Sequence, residues 1–202
     1  MEIYIVRHGE TLWNKERRCQ GTIDINLNEY GKELAIITGQ ALRDTHFDKI
    51  YSSPLSRAYE TACLIRGDRD IPVIKDDRLR EICFGNMEGM CMDEMLKDPD
   101  SHFQHFFDQP ELFVPDEKGE SLEELCQRTK EFMEKVVLPE ADKNTRIMIV
   151  GHGAMNKSIM CFVKGHGIDK FWSGGLQKNC NVMIVSYEDN QFTVLDEEKI
   201  FY

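Results

Sequence analysis

IYIVRHGETLWN, residues 3–14, sets four apolar residues immediately before Arg7 and His8. A short apolar run bounded by polar residues reads as a buried strand, assigned here to residues 2–7. Its end is a costly place for a guanidinium beside an imidazole, because a buried charge needs a compensating partner. The layout recurs at RIMIVGHG, residues 146–153, where a second apolar strand ends on His152. A glycine follows each histidine, Gly9 and Gly153, and would let backbone N–H groups approach a ligand closely. In open α/β sheets, ligands bind beyond the carboxyl ends of strands. If these two strands are neighbours, both imidazoles face one crevice.

The segments between them alternate in type. Asn28 is placed to cap a helix running to about Arg43, with Leu34, Ile37 and Ala41 on its apolar face. DKIYSSP, residues 48–54, reads as a short strand entering a helix, with Ser53 as N-cap and Pro54 at the first helical position. That helix runs to about Arg66, ahead of Gly67. IPVIKD, residues 71–76, is a third strand. Residues 120–137 carry a capping box, Ser121 with Glu124, and a buried face of Leu122, Leu125, Cys126, Thr129, Phe132, Met133 and Val136. A helix from Ala154 to about Lys164 follows the second histidine, and residues 181–196 read as a hairpin around Asp189-Asn190. Strands alternating with helices imply an α/β chain, a three-layer α/β/α sandwich on a mostly parallel central sheet. Between about 86 and 118 regular spacing is lost, and this stretch is read as a helical cap inserted into one domain spanning 1–202.

Composition narrows the partners. A 202-residue chain with 41% hydrophobic and 30% charged residues suits a single soluble domain. A formal charge of −11 argues against nucleic acid and anionic membrane as partners. It leaves a small anion, bound where cations are locally concentrated. No apolar run approaches the roughly 20 residues of a membrane span, and five apolar or aromatic residues before Arg7 are too few for a signal peptide. The seven cysteines are odd in number and lack a CxxC pair. They are expected to be reduced, buried thiols, as in a cytoplasmic protein. His102 and His105 have a helical spacing that suits zinc, but no third ligand is near in sequence, and no metal or cofactor is expected. Arg57, at the start of the helix after SSP, adds a cation where free N–H groups already favour an anion.

RHGETLWN, SSPLSRAYETA, LREICFGNMEG, GESLEEL and IVGHGA occur in this order along nearly the whole chain. Together they resemble the histidine phosphatase, or phosphoglycerate mutase-like, superfamily. The resemblance implies that His8 is the nucleophile and becomes a phosphohistidine. It implies that Arg7, Arg57 and His152 hold the phosphoryl oxygens, with Asn14 donating a further hydrogen bond. Gln20 and Gly21 would contact the rest of the substrate, and Glu81 would be the general acid and base. Arg7 is then tolerated at the strand end because a phosphate is its partner. A cationic pocket also lowers the pKa of His8 and keeps one ring nitrogen nucleophilic.

Within the family the chain resembles α-ribazole and broad-specificity phosphatases. Mutases carry a stretch resembling LNERHYG after the acid, where this chain has LREICFGNMEG. Asn86 and Met87 depart from the FGDWEG of the phosphatase pattern, and Gly151 and Ala154 replace the serine and glycine often seen around the second histidine. The expected activity is a metal-independent phosphatase for small phosphorylated metabolites. The alternatives are a cofactor-dependent phosphoglycerate mutase and a non-catalytic phospho-ligand binder. Phe103, Phe106, Phe107 and Phe113 are expected to line an apolar approach or to form the cap's own core, the latter for at least two of them.

Overall fold

In the computed structural model the described residues are 1–98, 101–141 and 146–202. Strands β1 (Glu2–Arg7), β2 (Lys49–Ser52), β3 (Val73–Lys75), β4 (Arg146–Gly151), β5 (Val182–Glu188) and β6 (Gln191–Lys199) form one sheet in the order β3-β2-β4-β1-β5-β6. Strands β1 to β4 run parallel, and β5 and β6 add an antiparallel edge. The β5–β6 hairpin turns at Asp189 and Asn190, both with positive φ, as its right-handed twist requires.

Four helices cover the sheet: α1 (Glu29–Ala41), α2 (Ser56–Arg66), α3 (Leu122–Phe132) and α4 (Gly153–Lys164). The pleat divides their work. Ile3, Ile5, Ile147 and Ile149 point to one face and join a core with Leu125, Phe132, Met155 and Ile159 of α3 and α4. Val6, Met148 and Val150 point to the other and pack with Leu34 and Ala35 of α1 and Ala58 and Ala62 of α2. Burial on both faces is why the central strands are almost wholly apolar. Among the described residues no helix is long and apolar enough to cross a membrane.

Several expectations need correction. Ser53 does not cap α2. The helix starts at Ser56 after Leu55, which makes no side-chain cap. Asp24, on a distant loop, accepts from the Ser56 backbone N–H at 2.7 Å instead. Asn28 does cap α1, but Ala41 is exposed, and Leu34, Ala35, Thr38 and Gly39 form the buried face. The capping box of Ser121 and Glu124 is present, a device worth about 1 kcal/mol. Beyond it a π-helical turn at Met133–Val137 resets the 3.6-residue phase, so Val137 is buried in place of Val136. Strand β3 spans three residues, not six. Cys19, Cys161 and Cys180 are buried, whereas Cys63, Cys83, Cys91 and Cys126 are half-buried. The irregular stretch supplies short helical segments at Gly85–Met87, Met92–Met95, Phe103–Asp108 and Pro110–Leu112. Pro99 and Asp100, inside the expected cap, lie outside the described residues.

Candidate active site

Parallel pairing brings the two histidines together. β1 and β4 are neighbours in a register that sets Arg7 against Gly151, and the His8 N–H donates to the Gly151 carbonyl at 2.9 Å. One residue beyond the sheet, the two imidazole centroids lie 5.2 Å apart. Both rings are buried, at 3% and 0% exposure.

Their hydrogen bonds differ. His8 Nδ1 lies 2.6 Å from the Gly9 carbonyl oxygen. A carbonyl only accepts, so Nδ1 carries the hydrogen and Nε2 keeps its lone pair. His152 instead uses Nε2, 2.8 Å from Ser53 Oγ, and its buried Nδ1 has no partner. Burial, then Arg57, holds both rings well below the usual histidine range, with Arg7 adding to the effect at His8. Both are therefore neutral near pH 7, the state a nucleophilic imidazole requires.

Two guanidiniums flank this pair. Arg57, fully buried in the first turn of α2, donates to the Gly21 carbonyl at 2.6 Å and the Ile23 carbonyl at 2.8 Å. Its Nε is buried and unpartnered, and burial pushes its pKa down to about 10. Arg7 donates to the Gln177 carbonyl, and its Nε is likewise without a partner. Orphaned buried donors on two arginines are expensive unless a ligand uses them.

Glu81 closes the ring. Its carboxylate accepts from the Ala154 N–H at 3.2 Å and the Met155 N–H at 2.9 Å, at the N-terminus of α4. Gly153 stands where these groups converge. A methyl group there would lie 3.0 Å from Leu176, 3.6 Å from the Glu81 carboxylate and 3.9 Å from the Arg7 guanidinium. Gly9 behaves otherwise than expected. Its N–H donates to Thr61 Oγ1, and its missing side chain admits the Gly31 backbone of α1.

A cavity of about 550 Å³ opens over these groups. Arg7, His8, Arg57 and Glu81 line it, as do Asn14, Gln20 and Gly21. Asn14 accepts the Thr11 N–H at 3.0 Å through Oδ1, and Gln20 Oε1 accepts from Thr11 Oγ1 at 3.0 Å. His152 does not line the cavity, although its ring lies next to that of His8. Among the described residues, no group of three or more His, Cys, Asp or Glu side chains is placed to hold a metal ion.

Residues 3–198 match the family model described as histidine phosphatase superfamily (branch 1). This chain belongs to that family. Sequence relatives of this histidine phosphatase include Phosphoserine phosphatase 1 of Hydrogenobacter thermophilus, 34% identical over 96% of this chain and 90% of its own. A probable phosphoglycerate mutase, GpmB of Erwinia tasmaniensis, is 37% identical over 76% of this chain and 70% of its own. Among solved structures, YhfR of Bacillus stearothermophilus superposes with a TM-score of 0.89 at 35% identity, covering 98% of this chain and 97% of that one.

Sequence reasoning missed the supports of this histidine phosphatase site. Ser53 binds His152 rather than a helix end. Glu88 accepts from the Thr22 and Phe84 N–H groups and ties the Gln20-Gly21 loop to the start of the irregular stretch. Asn179 donates to the His8 carbonyl at 2.9 Å, and Gln177 Nε2 to the Ile5 carbonyl at 3.0 Å. The signal for these last two was the run of amides at 177–181, just ahead of the strand that pairs antiparallel with β1. Trp172 also lines the cavity, and its indole N–H donates to the Phe106 carbonyl. Phe103, Phe106 and Phe113 are buried as a cap core, yet the first two also form cavity wall.

Proposed function

We propose that this cavity hydrolyses small phosphomonoesters by two in-line displacements at phosphorus. The His8 Nε2 lone pair attacks, the P–O bond to the alcohol breaks, and Glu81 gives its proton to the leaving oxygen. The Glu81 carboxylate then takes a proton from water. That oxygen attacks phosphorus, the N–P bond breaks, and inorganic phosphate leaves with the lone pair restored to Nε2. Arg7, Arg57 and the Asn14 amide hold the equatorial oxygens, where the transition state spreads its charge, and the unpartnered Nδ1 of the adjacent His152 is the fourth donor once the ester is seated. Gln20 and Gly21 contact the remainder of the ester. The observation that carries this reading is the neutral His8, anchored through Nδ1 on the Gly9 carbonyl beside two arginines with orphaned Nε groups. Residues 1–202 act as one domain with 86–118 as its cap. The working compartment is the cytoplasm, and the substrate is a soluble metabolite rather than nucleic acid or membrane.

The test is release of phosphate from p-nitrophenyl phosphate and from an alkyl phosphate, with and without EDTA. Turnover indifferent to the chelator supports the four-donor mechanism, whereas its loss with EDTA ends it. Binding of phosphate esters without turnover would favour the binder. Supplying 3-phosphoglycerate with 2,3-bisphosphoglycerate separates the mutase, because 2-phosphoglycerate formed without free phosphate would replace this proposal.

A further inference from the structure

The cavity has two chemically distinct ends. One holds Arg7, Arg57, His8 and Glu81. The other is walled by Phe103, Phe106, Phe107, Trp172 and Met92, while Leu176 borders Gly153 beside the charged groups. Phe107 and Trp172 meet Phe106 edge to face and Phe103 stacks on it, with Trp172 centred 5.2 Å from Phe106 and 5.3 Å from Phe107. They come from two separate segments, the Phe103–Asp108 helix and the loop after Ile168–Lys170. The Trp172 indole N–H, bonded to the Phe106 carbonyl, clasps them together. Trp172 and Phe107 stay half-buried, and Leu176 keeps 49% of its surface at the mouth. Apolar surface is thus left uncovered over the phosphate end.

Charged handles for the leaving group are scarce there, Gln20 being a neutral amide. Among the described residues Glu81 is the only carboxylate lining the cavity, and it is engaged by the α4 N–H groups. Arg18, the one further cation among the described lining residues, already pairs with Glu16 at 2.7 Å and donates to the Gly89 carbonyl at 2.8 Å. An ammonium or carboxylate on the alcohol would be desolvated there for little return. A flat apolar group would gain both area burial and ring contact.

We propose that the leaving alcohol of the substrate carries a planar apolar group, received by the wall that Trp172 closes with Phe106 and Phe107. Trp172 is its specificity-determining residue. The inference rests on the phosphatase reading and narrows it. Alkyl esters of matched leaving-group chemistry test it: kcat/KM for 2-phenylethyl phosphate, ethyl phosphate, O-phosphoserine and 3-phosphoglycerate. The expected ratio of 2-phenylethyl to ethyl phosphate is about tenfold or more, the size of one good ring contact with its burial. Phosphoserine and 3-phosphoglycerate fall with ethyl phosphate. Trp172→Ala lowers the ratio by roughly tenfold, chiefly through KM, and Trp172→Phe restores most of it. A wild-type ratio near one, or a preference for phosphoserine, overturns the inference while leaving the phosphatase intact, and needs no variant to fold. An unchanged ratio in folded Trp172→Ala overturns it equally. No turnover of any of the four esters would overturn the phosphatase reading and this inference with it.

Discussion

Strands β1 and β4 end in nearly the same sequence, Ile5-Val6-Arg7-His8-Gly9 and Ile149-Val150-Gly151-His152-Gly153, and they lie in register. The backbone therefore delivers two imidazoles to equivalent places. Their neighbours then make them unlike. His8 is held through Nδ1 by its own chain's next carbonyl, which frees Nε2. His152 is held through Nε2 by Ser53 across the β2–β4 pair, and Nδ1 is left buried and unpartnered. Strand topology sets where a ring goes, and hydrogen bonding selects which nitrogen it offers. The proposed roles, attack for His8 and phosphate support for His152, turn on this difference.

The largest effect that could break this comparison is on turnover. His8→Ala should lower kcat by about 10⁴-fold or more and abolish any trapped phosphoenzyme, as removal of a nucleophile does. His152→Ala should cost roughly 10²- to 10³-fold, the range for losing one donor to a developing charge, and should still form the phosphoenzyme. Rapid acid quench with a radiolabelled ester, followed by peptide mapping, reads both. Label on His152, or label surviving in His8→Ala, would reverse the assignment.

Glu81→Gln comes next. It should slow hydrolysis of an alkyl phosphate by roughly 10²- to 10⁴-fold, since proton donation contributes that much. Cleavage of p-nitrophenyl phosphate to the phosphoenzyme should suffer far less, because nitrophenolate leaves without a proton. Equal losses on both esters would remove Glu81 from the acid role and leave the two histidines without an opposing proton donor.

How far the comparison could be read from sequence has a physical limit. The paired IV-x-H-G strand ends, the parallel sheet and the basic part of the cavity were legible because each is carried by local pattern: apolar runs, a following glycine, Arg7 beside the first ring. Ser53 was misread for the same reason. SSP before a helix has the local form of a cap, and only the fold reveals that Asp24 takes that task and leaves Ser53 to His152. The run of amides at 177–181 was visible, but the partners of Gln177, Asn179 and Trp172 could not be read because they lie 172, 171 and 66 residues away in sequence. The π turn that buries Val137 departs from the helical period by one residue, and nothing in MEKVV announces it.

The pH response sharpens what the two rings share. Burial and the nearby guanidiniums hold both folded-state pKa values below the unfolded value of about 6.5. Below that value the unfolded chain binds protons that the folded chain refuses. The stability contributed by these rings is thus complete above about pH 6.5 and is lost as pH falls toward the folded pKa values. Chemical denaturation from pH 7.5 to 5 should show midpoints falling on acidification, with a smaller fall in His8→Phe. Nitrogen-15 spectra of histidine-labelled protein should show both rings still neutral at pH 6, with His8 protonated at Nδ1. A His8 ring that titrates at or above pH 6.5 would remove the neutral nucleophile.

Ser53→Ala gives the smallest effect and the most selective one. It leaves every group proposed to meet the phosphate and deletes only the hydroxyl 2.8 Å from His152 Nε2. The same oxygen accepts a weak bond from the Leu55 N–H at 3.3 Å, so a modest stability loss of about 1–3 kcal/mol accompanies the change. If the hydroxyl selects which nitrogen His152 presents, its removal lets the ring sample both tautomers. The productive fraction then drops, and kcat should fall roughly threefold to tenfold with KM for the ester rising alongside it. His8 should keep its Nδ1–H signal, because the Gly9 carbonyl is untouched. His152 should change its nitrogen shifts, and that split between two adjacent rings is the readout that simple destabilisation would not produce. Matched shifts for His152 in wild type and Ser53→Ala, with activity unchanged, would mean that the strand end alone orients the ring and that the two histidines differ less than their hydrogen bonds imply.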